Sequence, residues 1–432
     1  MIRVRFQMFS LLIVLLIITS CAIIPASSKT KQMPVTPTAL PPLTKDDICP
    51  KNLHLPTTCQ TPHSLRVAYG VEAIYEKGYT GEGQTVIDMV SFGSPTLKQD
   101  MDVFDQTFGL PPIDLQVISP LHEQETDLHH DKEGWAGETT LDVQVIHSIA
   151  PKAKVIVLTS PVSETEGVHG LPEFRQLEHY IVDNKLGNIV SYSWGASELT
   201  LMDKQGQQEL QQWNDLLQQD SVEQKITHFS ASGDNGATDY ADVDGTKLAT
   251  VPTTSFPSDS PWVVGVGGTT LKRIGTVLKE TAWSGSGGGF SRFYPAPDYQ
   301  QPLAQAQQKL FQNHRGVPDV AAVADPFTGL AIYQGNFWTL GGGTSASAPV
   351  WSAMMAIGNQ MAGRPLGFIN AALYKLSSTD AYQQDFRSIT SGNNNSGAVK
   401  GYSAGPGWNP VTGLGTPNAE KLLPDLIATI PA

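Results

Sequence analysis

The sequence predicts an α/β fold with a mostly parallel central β-sheet and helices on both faces. Three observations carry that prediction. Short, β-branched apolar runs recur along the chain, and segments of helical length and spacing separate them. The runs also show little strict alternation, as expected of strands buried on both faces. Strands are read at 85–90 (TVIDMV), 115–119 (LQVIS), 154–159 (KVIVLT), 188–192 (NIVSY) and 226–231 (ITHFSA). Helices fill the gaps at 95–107, 135–149, 171–186 and 205–219, the order of a parallel sheet. After Asp234 the chain reads as loop-rich, with Gly and Pro at almost every turn. A helix follows over 345–361, then shorter ones near 367–376 and 418–428. No linker interrupts 61–432, which reads as one large domain.

Composition narrows the function classes. The 432 residues are 40% hydrophobic, enough for a sizeable core, and only 16% charged. The formal net charge of -13 argues against a general nucleic-acid binder, which would carry a basic excess. Arg3 and Arg5 precede an apolar run over 6–18, and Ile18-Thr19-Ser20-Cys21 resembles the lipobox of bacterial lipoproteins. Residues 1–21 are therefore read as a signal peptide with a lipid site on Cys21. An uncleaved anchor is the alternative, since 6–24 nearly spans a bilayer. Either reading places the protein outside the cytoplasm, in the cell envelope or beyond it, lipid-anchored to a bacterial membrane in the first. Residues 22–60, rich in Pro, Ser and Thr, read as a tether. Cys49 and Cys59 are either a local disulfide, as export permits, or two free thiols.

The chemistry concentrates in three segments. Gly341-Gly342-Gly343-Thr344-Ser345 leads straight into a helix, so Ser345 sits where free N–H groups and the helix dipole favour a developing anion. A Ser N-cap is the simpler reading of that segment. Glu138 and Asp142 are four apart and share one helix face, bordered by Leu141, Val143, Val145 and Ile146. Two close carboxyls in a poorly solvated place share a proton and raise at least one pKa, which suits a base relay in acid. A solvated acidic face is the alternative. Asp234 follows a strand in Ser232-Gly233-Asp234-Asn235-Gly236, where parallel sheets place their sites and where Asp-Asn-Gly also makes a turn. Protonated, it can donate to an oxyanion. None of His129, His130, His147 or His169 presents itself as a base for Ser345.

Together with Leu65-Arg66-Val67-Ala68-Tyr69-Gly70, Ser193-Trp194-Gly195, Gly287-Gly288-Gly289-Phe290-Ser291 and Pro318-Asp319-Val320, these segments make the sequence resemble the sedolisin, or serine-carboxyl peptidase, family. The resemblance runs from about Thr61 to Pro417 and implies a subtilisin-like fold for 61–432. It implies Ser345 as nucleophile, Glu138 as general base and acid, Asp142 as its partner and Asp234 in the oxyanion hole. The implied reaction is hydrolysis of protein or peptide substrates through an acyl-enzyme, favoured in acid, by a monomer that requires no cofactor.

Two departures from the family pattern stand out. Its calcium site maps onto Ser388, Ile389, Gly405, Gly407 and Asn409, where neutral residues replace both carboxylates, so calcium binding is expected to be weak or lost. Asn393, Asn394 and Asn395 read as a turn. The family's long prodomain has no counterpart in the about forty residues after Cys21, which leads to the expectation that folding and latency are handled differently. Other readings are a catalytically inactive envelope binding lipoprotein and a tripeptidyl exopeptidase. A subtilisin-type enzyme using Asp88 and a His is a further one, but it lacks the His-Gly-Thr segment that would support it. Trp194, Trp283 and Phe290 are candidates for a substrate cleft or for the core.

Overall fold

The structure is a computed structural model that describes residues 49–431, apart from 57–58, 123–124, 128–129 and 275–276. The signal segment, Cys21, most of the tether and His129 lie outside the described residues. A central eight-stranded sheet organises the body. Its strands are β1 (Thr85–Ser91), β2 (Asp114–Ile118), β3 (Lys154–Ser160), β4 (Ile189–Tyr192), β5 (Thr227–Ala231), β6 (Val264–Ile274), β7 (Val277–Ala282) and β8 (Val320–Val323). The order is β8-β6-β5-β4-β1-β3-β2, all parallel, with β7 antiparallel against β6. The predicted mostly parallel sheet is present.

Five long helices cover the sheet: α1 (Leu97–Phe108), α2 (Lys132–Ile149), α3 (Leu171–Asp183), α4 (Lys204–Val222) and α5 (Thr344–Ala362). Pairing register assigns the faces, because successive strand residues point to opposite sides. Asp88 pairs with Ser191, and both face α2 and α5. Val190 pairs with His228 and Tyr192 with Ser230, so these four point the other way, toward α3. α2 is buried all round from Leu141 to Ile149, Asp142, Gln144, His147 and Ser148 included, because it is packed between the sheet, α5 and the first helix of the body.

Two differences from the sequence reading have physical causes. The stretch after Asp234 contains β6, β7 and β8, not only loops. Gly265, Gly267 and Gly268 disguise β6, and each is glycine because something presses on it. A Cβ on Gly267 would meet Pro318 at 2.6 Å, and one on Gly268 would meet Ala324 at 2.5 Å. The second difference is that residues 49–56 and 59–60 belong to the folded body. Cys49 and Cys59 are joined by a disulfide. They and Leu53 are buried with Ala331 in a small apolar cluster on the hairpin Leu330–Gln334/Phe337–Gly341.

Candidate active site

The site lies beyond the carboxyl ends of β4 and β5, at the N-terminus of α5. Gly343, at φ +90°, turns the chain into the helix, and a Cβ there would lie 2.5 Å from the Asp234 Oδ2. Glycine is thus required both by the turn and by the approach of Asp234. Ser345 is the second residue of α5, so its backbone N–H belongs to the first turn, which has no partner within the helix. Thr344 locks the approach. Its N–H and its hydroxyl donate to Asp234 Oδ1 at 2.7 and 2.9 Å, and its Oγ1 accepts from the Gly233 N–H at 3.0 Å. Oδ1 is used as an acceptor, which leaves Oδ2 to carry a proton. Asp234 is exposed as a residue, but its carboxyl is packed against Gly343 and Thr344. Desolvation there raises its pKa, against the lowering effect of the two Thr344 bonds.

Across the cleft stands the α2 pair. Ser345 stands close enough to Glu138 to lower its pKa, but burial, and then Asp234 and Asp88, outweigh that and push the carboxyl up to about 8. Asp142, one turn on, is fully buried and is raised well above the usual range by burial and by the charges of Asp88 and Glu138. The solvated-face reading of Asp142 is thereby excluded. Ser193, just past β4, donates to Asp142 Oδ1 at 2.9 Å and lies 3.2 Å from the Ser345 carbonyl. It ties the pair to the nucleophile's own helix.

Asp88 is the residue whose place the sequence misjudged. Weighed only as the acid of a histidine-based arrangement, it instead meets Asp142, carboxyl against carboxyl, in the middle of β1. Such a contact requires a proton between the two. Burial lifts Asp88 to about 7, and the hydrogen bond from Asp142 opposes the rise. The signal that would have found it is a charged residue inside a strand otherwise reading TVI-MV. No histidine among the described residues joins the site. His147 sits at the far end of α2 with Asp105 at 3.1 Å. The charges acting on Glu138, Asp142 and Asp234 all come from other carboxyls. These groups therefore titrate as a set.

The cleft candidates divide. Trp194 is buried among Phe174, Tyr192, Trp213 and Phe256, and Phe290 packs on Phe311, Tyr402 and Trp408. Trp194 is a core residue, and Phe290 is half-buried against the core. Trp283, half-buried, lies over Gly268 and Gly285.

The residues at the expected calcium position do not fit the ion. Asn409 Oδ1 accepts from Val411 N–H, Thr412 N–H and the Thr412 hydroxyl at 3.1, 3.0 and 3.2 Å. That fixes the amide orientation, and its NH₂ points at the Gly405 and Gly407 carbonyls at 3.1 and 3.5 Å. Ser388 Oγ accepts from the Gly407 N–H, and Ile389 is buried beside Ala282 and Val411. An N–H donor therefore answers the carbonyls a cation would need. Asn393 to Asn395, expected as a turn, instead lie in one arm of a small hairpin that turns at Gly397–Ala398, with Asn393 bridged to Ser403 and the Asn394 and Asn395 side-chain oxygens accepting from the Tyr402 and Gly401 N–H groups.

A serine at a helix N-terminus, facing a carboxyl base and a protonatable carboxyl, describes a hydrolase site without histidine. The subtilase family model matches residues 132–366, just over half of the chain. Kumamolisin of Bacillus sp. (strain MN-32) is 32% identical over 389 residues, covering 86% of this chain and 64% of kumamolisin. Tripeptidyl-peptidase 1 of Rattus norvegicus is 30% identical over 399 residues, covering 88% of this chain and 66% of the relative. The chain thus spans about two thirds of these relatives. Among solved structures, Pseudomonas sedolisin, a serine-carboxyl proteinase complexed with two molecules of pseudo-iodotyrostatin, superposes with a TM-score of 0.71 at 26% identity. That match covers 85% of this chain and 97% of the other. The chain belongs to the subtilase family, within its sedolisin or serine-carboxyl peptidase group, and has the subtilisin-like fold.

Proposed function

We propose that the protein is an acid-favouring serine-carboxyl endopeptidase. The single observation that carries the reading is Ser345 within reach of the Glu138 carboxyl, at a helix N-terminus with Asp234 opposite. In this reading Ser345 Oγ attacks the scissile carbonyl while its proton passes to Glu138. The oxyanion receives the proton-bearing Oδ2 of Asp234 and the backbone N–H of Ser345. Glu138 then protonates the leaving amine, and water, deprotonated by Glu138, releases the acyl group. Asp142 and Asp88 position Glu138 and tune it without touching substrate. Asp234 must hold its proton while Glu138 is the unprotonated member of the carboxyl set, with the shared protons on Asp88 and Asp142. Activity therefore belongs to the acid window that meets both conditions and declines as the pH rises and the Asp234 proton is lost. The N-terminal sequence adds a place of work: a bacterial envelope, with the chain tethered through a lipid on Cys21.

A second reading, a tripeptidyl exopeptidase, is favoured by the relatives named tripeptidyl-peptidase 1. Two substrates separate the readings. An endopeptidase cleaves an internally quenched peptide with a blocked N-terminus, and a tripeptidyl peptidase requires a free one. Ser345→Ala should abolish cleavage of either, by on the order of 10⁶ in kcat, the scale of nucleophile removal in a serine peptidase. Folded wild-type protein that cleaves neither between pH 3 and 7 would sink both readings and favour an inactive binding protein.

A further inference from the structure

On the opposite face of the sheet, away from the catalytic carboxyls, a second ionisable cluster is buried. Glu178 of α3, Asp220 of α4 and His228 of β5 are 0%, 1% and 1% exposed. One ligand atom from each lies within 4.8 Å of the other two. None of the three takes part in the proposed peptidase chemistry.

The surrounding hydrogen bonds fix how these groups face one another. The Ser221 hydroxyl donates to the Trp262 carbonyl at 3.3 Å, so at 3.1 Å it accepts from His228 Nδ1. His228 Nε2 faces Glu178 Oε1 at 2.9 Å on its other side. The other Glu178 oxygen accepts from the Tyr192 hydroxyl at 2.7 Å. Asp220 Oδ2 is fully shielded and has no hydrogen-bond partner. The charges that reach Asp220, Glu178 and Glu223, are both negative. Asp220 therefore brings a carboxylate with an unanswered oxygen to within 4.8 Å of the Glu178 and His228 ligand atoms, whose outward atoms are already held. That is the arrangement of a metal-binding histidine whose far nitrogen is fixed by an outer hydrogen bond.

We propose that Glu178, Asp220 and His228 bind one divalent transition-metal ion, zinc by preference, at a structural site separate from the catalytic cleft. One imidazole nitrogen and two carboxylate oxygens suit zinc, which bonds such atoms at about 2.0–2.2 Å. Tetrahedral ligands so bonded stand about 3.4 Å apart. A separation of up to 4.8 Å would thus close by up to about 1.4 Å, and the 2.9 Å His228–Glu178 pair would open slightly. The ion would tie α3 and α4 to β5 and cancel charge that otherwise has to be neutralised by protons. Because the ligands must be deprotonated, uptake should release protons and weaken in acid.

The test uses the purified chain, stripped with a chelator and dialysed, then titrated with Zn²⁺ alone at pH 7.5 against a chromophoric competitor. Elemental analysis gives the stoichiometry, and Co²⁺ serves as a visible probe of the ligand field. Wild type and the peptidase-dead Ser345→Ala should each take up one equivalent, with a rise in thermal midpoint that grows with free Zn²⁺. Asp220→Asn and His228→Gln should each bind at least about tenfold more weakly and lose the rise. Wild type that takes up no zinc, or variants that bind as tightly as wild type, would overturn the proposal and leave a proton-held cluster. If either variant fails to fold, the wild-type stoichiometry and its thermal response decide alone.

Discussion

Two places in this molecule bury carboxyls completely and treat them in opposite ways. At Asp319 the carboxyl is surrounded by donors. Arg315 Nη2 bonds Oδ2 at 2.6 Å, the Gly265 N–H bonds the same oxygen at 2.8 Å, and the Tyr374 hydroxyl bonds Oδ1 at 2.8 Å. At Asp88 and Asp142 the partners are each other and Ser193, with no cation among them. Both pairs are 0% exposed, so solvent does not explain the difference. The difference is the source of positive charge: a fixed guanidinium in one place, mobile protons in the other. The first holds β6 and β8 in register, since Asp319 immediately precedes β8. The second can give and take protons, which is what a base relay requires. A buried ion pair loses heavily when one partner is removed, while a proton-held carboxyl already behaves much like its amide.

Substitutions sharpen that contrast. Asp319→Asn leaves Arg315 buried without its counter-charge and should cost about 3–5 kcal/mol, read as a loss of denaturation midpoint. Asp88→Asn should change stability by less than about 1 kcal/mol at pH 5, because the amide mimics the protonated acid. At pH 8, where Asp88 would otherwise be forced to ionise, the same change should stabilise. Its effect should appear in catalysis instead, as a loss of up to about 100-fold in kcat through misplacement of Glu138. Equal destabilisation by the two Asn variants would erase the distinction drawn here.

The pH dependence of stability follows from the direction of the shifts. Asp88 near 7 and Glu138 near 8 are raised above their unfolded values, and Asp142 is raised well above the usual carboxylate range by burial and by the charges of Asp88 and Glu138. Protons are therefore held more tightly in the native state. The stability they contribute is complete below about pH 4 and is lost as the pH rises through about 7–8. Thermal unfolding should show a midpoint at least about 5 °C higher at pH 5 than at pH 9. A midpoint that rises steadily toward alkaline pH would mean that these carboxyls are ionised in the fold. The smallest effect concerns calcium. Adding Ca²⁺ at pH 5 should move the midpoint by less than about 1 °C, because the Asn409 amide already answers the Gly405 and Gly407 carbonyls. A clear rise that Asn409→Leu abolishes would show that the loop still takes the ion.

Much of this was legible in the sequence because β-branched runs and helical spacing report local structure directly. The strands through β5 and the five long helices were located to within a few residues at either end. Ser345, Glu138, Asp142 and Asp234 could be nominated, the first three from spacing and helix position and the last from its place after a strand. β6 was not legible, because its glycines answer to Pro318 and Ala324, neighbours distant in the chain. Nor was the Asp88–Asp142 contact, which joins residues 54 positions apart by packing α2 on β1. The start of the body was hidden for a similar reason, since Cys49 and Leu53 are covered by a hairpin from near residue 331. Local pattern finds elements, and only their assembly shows which carboxyls meet.

The central claim is that carboxyl-held protons, with no histidine, drive Ser345. It is tested most directly by the pH–rate profile of wild-type protein on a blocked, internally quenched peptide from pH 3 to 9, with Ser345→Ala as background. The account predicts cleavage in acid that falls away as the pH rises through neutrality. A rate that is absent in acid and climbs with an apparent pKa of about 6.5, the signature of a histidine losing its proton, would contradict it.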